Sequence, residues 1–150
     1  MITTPPVRFG LIGAGRIGTY HATTIARRPP AAELVRVADP ADGAAARRAE
    51  PLGAEAVADS QALIADPRVE AVAITCASTA HADLVVAAAR AGKAVFVEKP
   101  MAMTLADADR AIAACREAGV PLQVGFNRRF AADFSPAQAH VARGGHGRPP

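Results

Sequence analysis

Large rings are nearly missing from this 150-residue chain, which has no tryptophan, one tyrosine and five phenylalanines. Hydrophobic residues make up 51% of it, but much of that is alanine, so a core has to come from close helix–sheet contacts more than from bulky side chains. Cysteine is scarce as well. Cys76 and Cys115 form neither a metal-ligand spacing nor a disulfide framework. Each reads as a small buried hydrophobe of a reducing compartment, Cys76 in an apolar strand and Cys115 on the apolar stripe of a helix. No apolar run reaches the roughly 18 residues of a membrane span, and no charged-then-apolar leader with a cleavage site occurs. The expectation is a cytoplasmic protein with no membrane partner.

The formal charge is +3, with arginines scattered along the chain. Arg27-Arg28, Arg47-Arg48 and Arg128-Arg129 are only pairs, and no basic cluster is interleaved with aromatics, so a nucleic-acid footprint is excluded. The balance supports no more than a weak attraction for anionic cofactors. Lysine is the rarer cation: of 17 basic residues only Lys93 and Lys99 are lysine. The length suits one domain able to bury a real core.

What is present is a run of short apolar segments alternating with helical ones. Strands are expected at Val7 to Ile12, Leu34 to Ala38, Glu55 to Val57, Ala71 to Ile74, Ala94 to Val97 and Leu122 to Gly125. Helices are expected over Arg16 to Arg27, Gly43 to Leu52, a brief stretch from Asp59 or Ser60 to Asp66-Pro67, His81 to Ala91 before Gly92, and Thr104 to Gly119, with a last one from about Pro136 to Arg143. The Thr104 helix carries Leu105, Ala108, Ile112 and Cys115 at helical spacing. Such alternation implies an α/β fold, a doubly wound parallel sheet with helices on both faces. Met1 to Pro6 and the segment from Gly144 to Pro150 read as a lead-in and a tail.

The first strand breaks into Gly13-Ala14-Gly15-Arg16-Ile17-Gly18 and then becomes helical. A strand that turns straight into a helix leaves unpaired N–H groups where a pyrophosphate can sit. Gly13 permits the tight turn, Gly15 lets the phosphates approach, and Gly18 lets the helix lie on the sheet. Asp39 ends the second strand 21 residues beyond Gly18, where a carboxylate grips an adenosine ribose. That carboxylate would repel a 2′-phosphate, which favours NAD over NADP, although Arg36, Arg47 and Arg48 nearby would allow both. The loop Thr75 to His81 and the residues after the fifth and sixth strands fall at the carboxyl edge of the sheet, where ligands bind in open α/β folds. Lys99 sits at that edge, and unlike arginine it can lose its proton when desolvated, which suits proton transfer to or from an alcohol.

Together, Gly13 to Gly18, Ala38-Asp39, Ser78-Thr79-Ala80-His81, Ala91-Gly92-Lys93, Glu98-Lys99-Pro100 and Gly125-Phe126-Asn127-Arg128-Arg129-Phe130 resemble the N-terminal half of the Gfo/Idh/MocA oxidoreductases. The wording is most similar to bacterial myo-inositol 2-dehydrogenases. The resemblance implies a Rossmann-type NAD-binding domain over residues 1–130, with 131–150 beginning the connection to a C-terminal substrate domain. It implies that Lys99 contacts the substrate hydroxyl and the nicotinamide ribose, with Glu98 near the nicotinamide and a cis bond before Pro100. Gly13, Ala14, Gly15, Arg16, Ile17, Asp39, Ser78 and Thr79 fall along the cofactor. His81 reads equally as a cofactor contact and as a helix-start residue bonded locally. Asn127 and Arg128 either close over the nicotinamide end or act as a hinge, and Arg129 reads as a surface or interdomain charge.

Complete family members are expected to be homo-oligomers, and their substrate domain supplies a catalytic histidine from an Asp-x-x-x-His motif. No such motif occurs here, and His140 and His146 lie in the wrong setting to replace it. The implied reaction is oxidation of a secondary alcohol of a cyclic polyol or sugar. The competing readings are a stand-alone dinucleotide-binding module, a truncated inactive fragment and, last, a structural remnant.

Overall fold

In the computed structural model, residues 5–28, 30–132 and 134–144 are described; the first four residues of the lead-in expected over Met1 to Pro6, and the end of the tail, His146 included, lie outside them. The six strands are β1 Val7–Ile12, β2 Ala32–Ala38, β3 Glu55–Ala56, β4 Ala71–Ile74, β5 Ala94–Glu98 and β6 Leu122–Gly125. The helices are α1 Arg16–Arg27, α2 Ala44–Ala49, α3 Ser60–Ala65, α4 His81–Arg90, α5 Leu105–Ala118 and α6 Ser135–Ala142. All strands pair in parallel, in the order β3-β2-β1-β4-β5-β6. That is the doubly wound order in which the chain reverses direction between β1 and β4, opening a crevice at their carboxyl ends.

Local chemistry explains most element ends. Asp59 caps α3 by accepting from the Ala62 amide at 2.8 Å, and Thr104 caps α5 by accepting from the Asp107 amide at 3.1 Å. Each such cap is worth about 1 kcal/mol. Gly92 and Gly119 end α4 and α5 at positive φ. The helix expected over Gly43 to Leu52 is instead α2 followed by a single 3-10 turn, Glu50–Leu52, because Pro51 has no N–H to continue the α-helical ladder.

The core lies on both faces of the sheet. On one, Leu63 and Ile64 of α3, Val85 and Ala88 of α4 and Ala111 and Cys115 of α5 join Ile12, Val72, Ile74 and Val97. On the other, Ala22 of α1 and Ala45 and Ala49 of α2 cover Leu11, Leu34, Val37 and Ala73. Three expectations need correction. The buried stripe of α5 runs through Ala111 and Cys115, while Leu105 is 86% and Ile112 39% exposed, because the close seat on α4 admits alanine where a branched chain would not fit. Cys76 lies beyond the end of β4, half-buried in the loop, and both cysteines are free. The second face is covered over β1 and β2 but open beside α1, where Phe9, Ile25 and Phe96 line a hollow of about 390 Å³.

Arginine is not wholly a surface residue either. Arg36 is 2% exposed and pairs with Asp66 at 2.6 Å and Glu55 at 2.8 Å, which fastens β2 to β3 and to the end of α3. No described helix is long and apolar enough to cross a membrane.

Candidate functional site

The crevice begins where β1 turns into α1. Gly13 has φ +99° and lies against the Cys76 backbone, so a side chain there would be both strained and obstructed. A Cβ on Gly18 would overlap the Gly13 carbonyl oxygen and press on Thr75 Oγ1, which is how this glycine seats the helix against the turn. Around Gly15, by contrast, the space is open. No side chain caps α1, its first turn holds no acid, and the amides of Gly15, Arg16 and Ile17 find no acceptor among the described residues. Open space over unpaired amides fits an incoming phosphate.

Two side chains lock this turn to its neighbours. Thr75, buried at the end of β4, reaches back with Oγ1 to the carbonyls of Gly13 at 2.8 Å and Ile12 at 3.1 Å. Asp39 accepts from the amides of Ala14 at 2.6 Å and Ala41 at 2.9 Å. A carboxylate has about four acceptor positions, so about two remain for ribose hydroxyls. Beside Asp39 a hollow of about 280 Å³ is lined by Ile12, Pro40, Ser60, Cys76 and Leu84, apolar walls suited to a flat base. Burial, and more weakly the charge of Asp39, holds the Cys76 thiol above its usual pKa. Arg36 is consumed by its buried ion pairs, and Arg47 bonds the Asp42 carbonyl at 3.2 Å.

Ser78 and Thr79 form a 3-10 turn, Ser78–Ala80, that leads into α4. His81 does not face the crevice. It is 1% exposed, with Nδ1 2.8 Å from the Pro100 carbonyl and Nε2 3.2 Å from the Cys76 carbonyl. It therefore ties the loop after β4 to the loop after β5, where the Lys99–Pro100 peptide is cis.

At the other end of the crevice, Lys99 shares a hollow of about 780 Å³ with Phe126, Asn127, Arg128 and Arg129. Lys99 is exposed, and its ammonium has no partner among the described residues. The second lysine is different: Lys93 Nζ donates to the carbonyls of Val69 at 2.7 Å and Asp66 at 3.0 Å, at the opposite end of the strands. Arg128 stacks over the Phe134 ring at 5.0 Å. Glu98 binds Nε2 of His21 at 2.8 Å and the Lys99 amide at 3.0 Å. Sequence reasoning missed Thr75 and His21. The only available signal was position, Thr75 one residue past a core strand and His21 on the first helix. Among the described residues no group of histidine, cysteine, aspartate or glutamate could hold a metal ion.

The family model described as an oxidoreductase family with an NAD-binding Rossmann fold matches residues 7–126. The chain is 38% identical to scyllo-inositol 2-dehydrogenase (NAD(+)) of Bacillus subtilis and 41% identical to myo-inositol 2-dehydrogenase of Thermotoga maritima. Each match covers 95% of this chain and 42% or 43% of the relative, so the chain spans less than half the length of these proteins. Among solved structures, scyllo-inositol dehydrogenase from Lactobacillus casei with bound NAD(H) and scyllo-inositol aligns with TM-score 0.87 at 28% identity, over 95% of this chain and 42% of that one. The sheet order, the glycine turn and these matches converge, and the chain belongs to the Gfo/Idh/MocA oxidoreductases as an NAD-binding Rossmann domain.

Proposed function

We propose that this domain is the cofactor half of an NAD-dependent dehydrogenase that oxidises a secondary alcohol of a cyclic polyol, close to inositol 2-dehydrogenation. The observation that carries the reading is Lys99, an ammonium without a partner among the described residues at the carboxyl edge of β5, in the same hollow as Asn127 and Arg128. When bound, NAD supplies the hydride acceptor.

The amides of Gly15, Arg16 and Ile17 bind the pyrophosphate, and the remaining acceptor positions of Asp39 hold the adenosine ribose. The Asp39 charge disfavours a 2′-phosphate, and the engagement of Arg36 removes one cation that could offset it. Ser78 and Thr79 flank the cofactor at the loop after β4. Lys99 orients the substrate hydroxyl and assists loss of its proton, and Glu98 borders the nicotinamide end. Asn127 and Arg128 close that end. The domain spans residues 1–130, and residues 131–150 begin the connection to a substrate-binding domain. A reducing, cytoplasmic location suits the free thiols.

Calorimetric titration with NAD, followed by an inositol oxidation assay, tests the reading. Saturable NAD binding is expected, with turnover once a substrate-binding half is supplied. Absence of binding would overturn it.

A further inference from the structure

Glu98 is the last residue of β5 and Lys99 follows it directly. A carboxylate and an ammonium on adjoining surface residues can pair, a weak interaction in solvent. Here the carboxylate is already engaged on both oxygens, Oε1 by His21 Nε2 at 2.8 Å and Oε2 by the Lys99 amide at 3.0 Å. His21 and Glu98 are 20% and 15% exposed, and the lysine tip is left unpaired among the described residues. The imidazole is itself held, its ring 5.0 Å from that of Phe96 and 5.7 Å edge-on from that of Tyr20. Gly125, across from Glu98 on β6, leaves the carboxylate its room: a Cβ there would come within 3.2 Å of Oε1.

We propose that His21 is a positioning residue that acts through Glu98. It draws the carboxylate back into the groove between α1 and β6 and aims its second oxygen at the Lys99 main chain. The lysine is thereby fixed at its base and unpaired at its tip. Without the imidazole, Glu98 keeps a single donor, and its freed oxygen is open to the ammonium of the adjoining Lys99. The inference rests on the reading of Lys99 as the proton-handling group, but its test needs neither cofactor nor turnover.

Trace acetylation of the whole chain at about pH 8, read peptide by peptide, measures how available each lysine is. Lys93, tied to two carbonyls, reports whether the fold is intact. In His21→Leu the Lys99 rate is expected to fall about threefold, the scale of one exposed ion pair, with Lys93 unchanged. His21→Gln, which keeps a donor, should restore the rate, as should His21→Leu combined with Glu98→Gln. If His21→Leu raises Lys93 labelling, His21→Phe, which fills the same space without a donor, is judged by the same criterion. An unchanged Lys99 rate in the folded variant overturns the proposal. A shifted Lys99 labelling rate alongside retained polyol oxidation by Lys99→Ala, in a protein that includes the substrate-binding half, would instead count against the proton-handling reading of Lys99 alone.

Discussion

Asp39 Oδ2 accepts the Ala14 amide at 2.6 Å, so the residue that follows β2 also braces the turn that ends β1. Its carboxylate thus has two tasks, one inside the fold and one toward the ribose. Asp39→Ala is expected to weaken NAD binding at least tenfold, or about 1.4 kcal/mol, and to narrow the preference over NADP. Parallel calorimetric titrations with the two cofactors check both; an unchanged ratio would mean that Asp39 does not discriminate.

Gly18→Ala places a methyl group on the Gly13 carbonyl, a backbone atom that cannot swing away. The expected cost is about 1–3 kcal/mol of stability, the usual range for overpacking, together with lost NAD affinity. Gly15→Ala meets no protein atom and should leave thermal stability nearly unchanged while still impairing binding. Melting curves with and without NAD separate the two. Equal destabilisation by both would refute the assignment of Gly15 to the ligand.

Cys76 lines the hollow beside Asp39, whereas Cys115 is on the buried face of α5. Burial raises both thiols above their usual pKa, so alkylation near neutral pH should be slow and should quicken as pH rises. Saturating NAD should slow Cys76 and leave Cys115 as it was, measured by mass spectrometry of labelled peptides. Equal rates at Cys76 with and without NAD would place the adenosine elsewhere.

Two carboxylates set an acid limb for stability. Asp107 is held below its ordinary pKa by Arg110 and then by the Thr104 hydroxyl, and Glu70 by the Arg8 amide and then its guanidinium. Groups with a lowered folded pKa stabilise above their unfolded values and lose that contribution as pH falls through the folded ones. Melting temperature should therefore decline below about pH 4, and Glu70→Gln with Asp107→Asn should flatten the decline. An identical slope in the double variant would assign the acid limb to other groups.

Lys99→Ala in a protein that includes the substrate-binding half should remove most polyol oxidation and keep NAD affinity within about twofold, because the pyrophosphate and ribose contacts are untouched. Steady-state rates and cofactor titration check this. Retained activity would take the proton-handling role away from Lys99.

The architecture was legible because its signals are local. β1, α1, β4 and β6 coincide with the expected spans, since β1 and β6 each run from a proline to a glycine, β4 is uninterruptedly apolar, and the prolines after Arg28 end α1. The α5 stripe was not legible, because alanines on every side of a helix leave its rotation undecided until a neighbour is in place. Likewise His81 and His21 are alike in sequence, each a histidine on a helix, and only tertiary contacts tell them apart. The first is enclosed between two carbonyls, and the second touches the carboxylate beside Lys99. Arg36 read as a cation within reach of the cofactor until β3 and α3 closed around it.

Thr75 and Gly13 stand 62 positions apart in the chain yet share one hydroxyl bond. A nascent polypeptide that has emerged only as far as β3 lacks the partner that pins its glycine turn. Recognition of the dinucleotide is therefore a property the growing chain acquires late, once β4 slots in beside β1, and peptides cut short of that strand should carry the motif without the affinity.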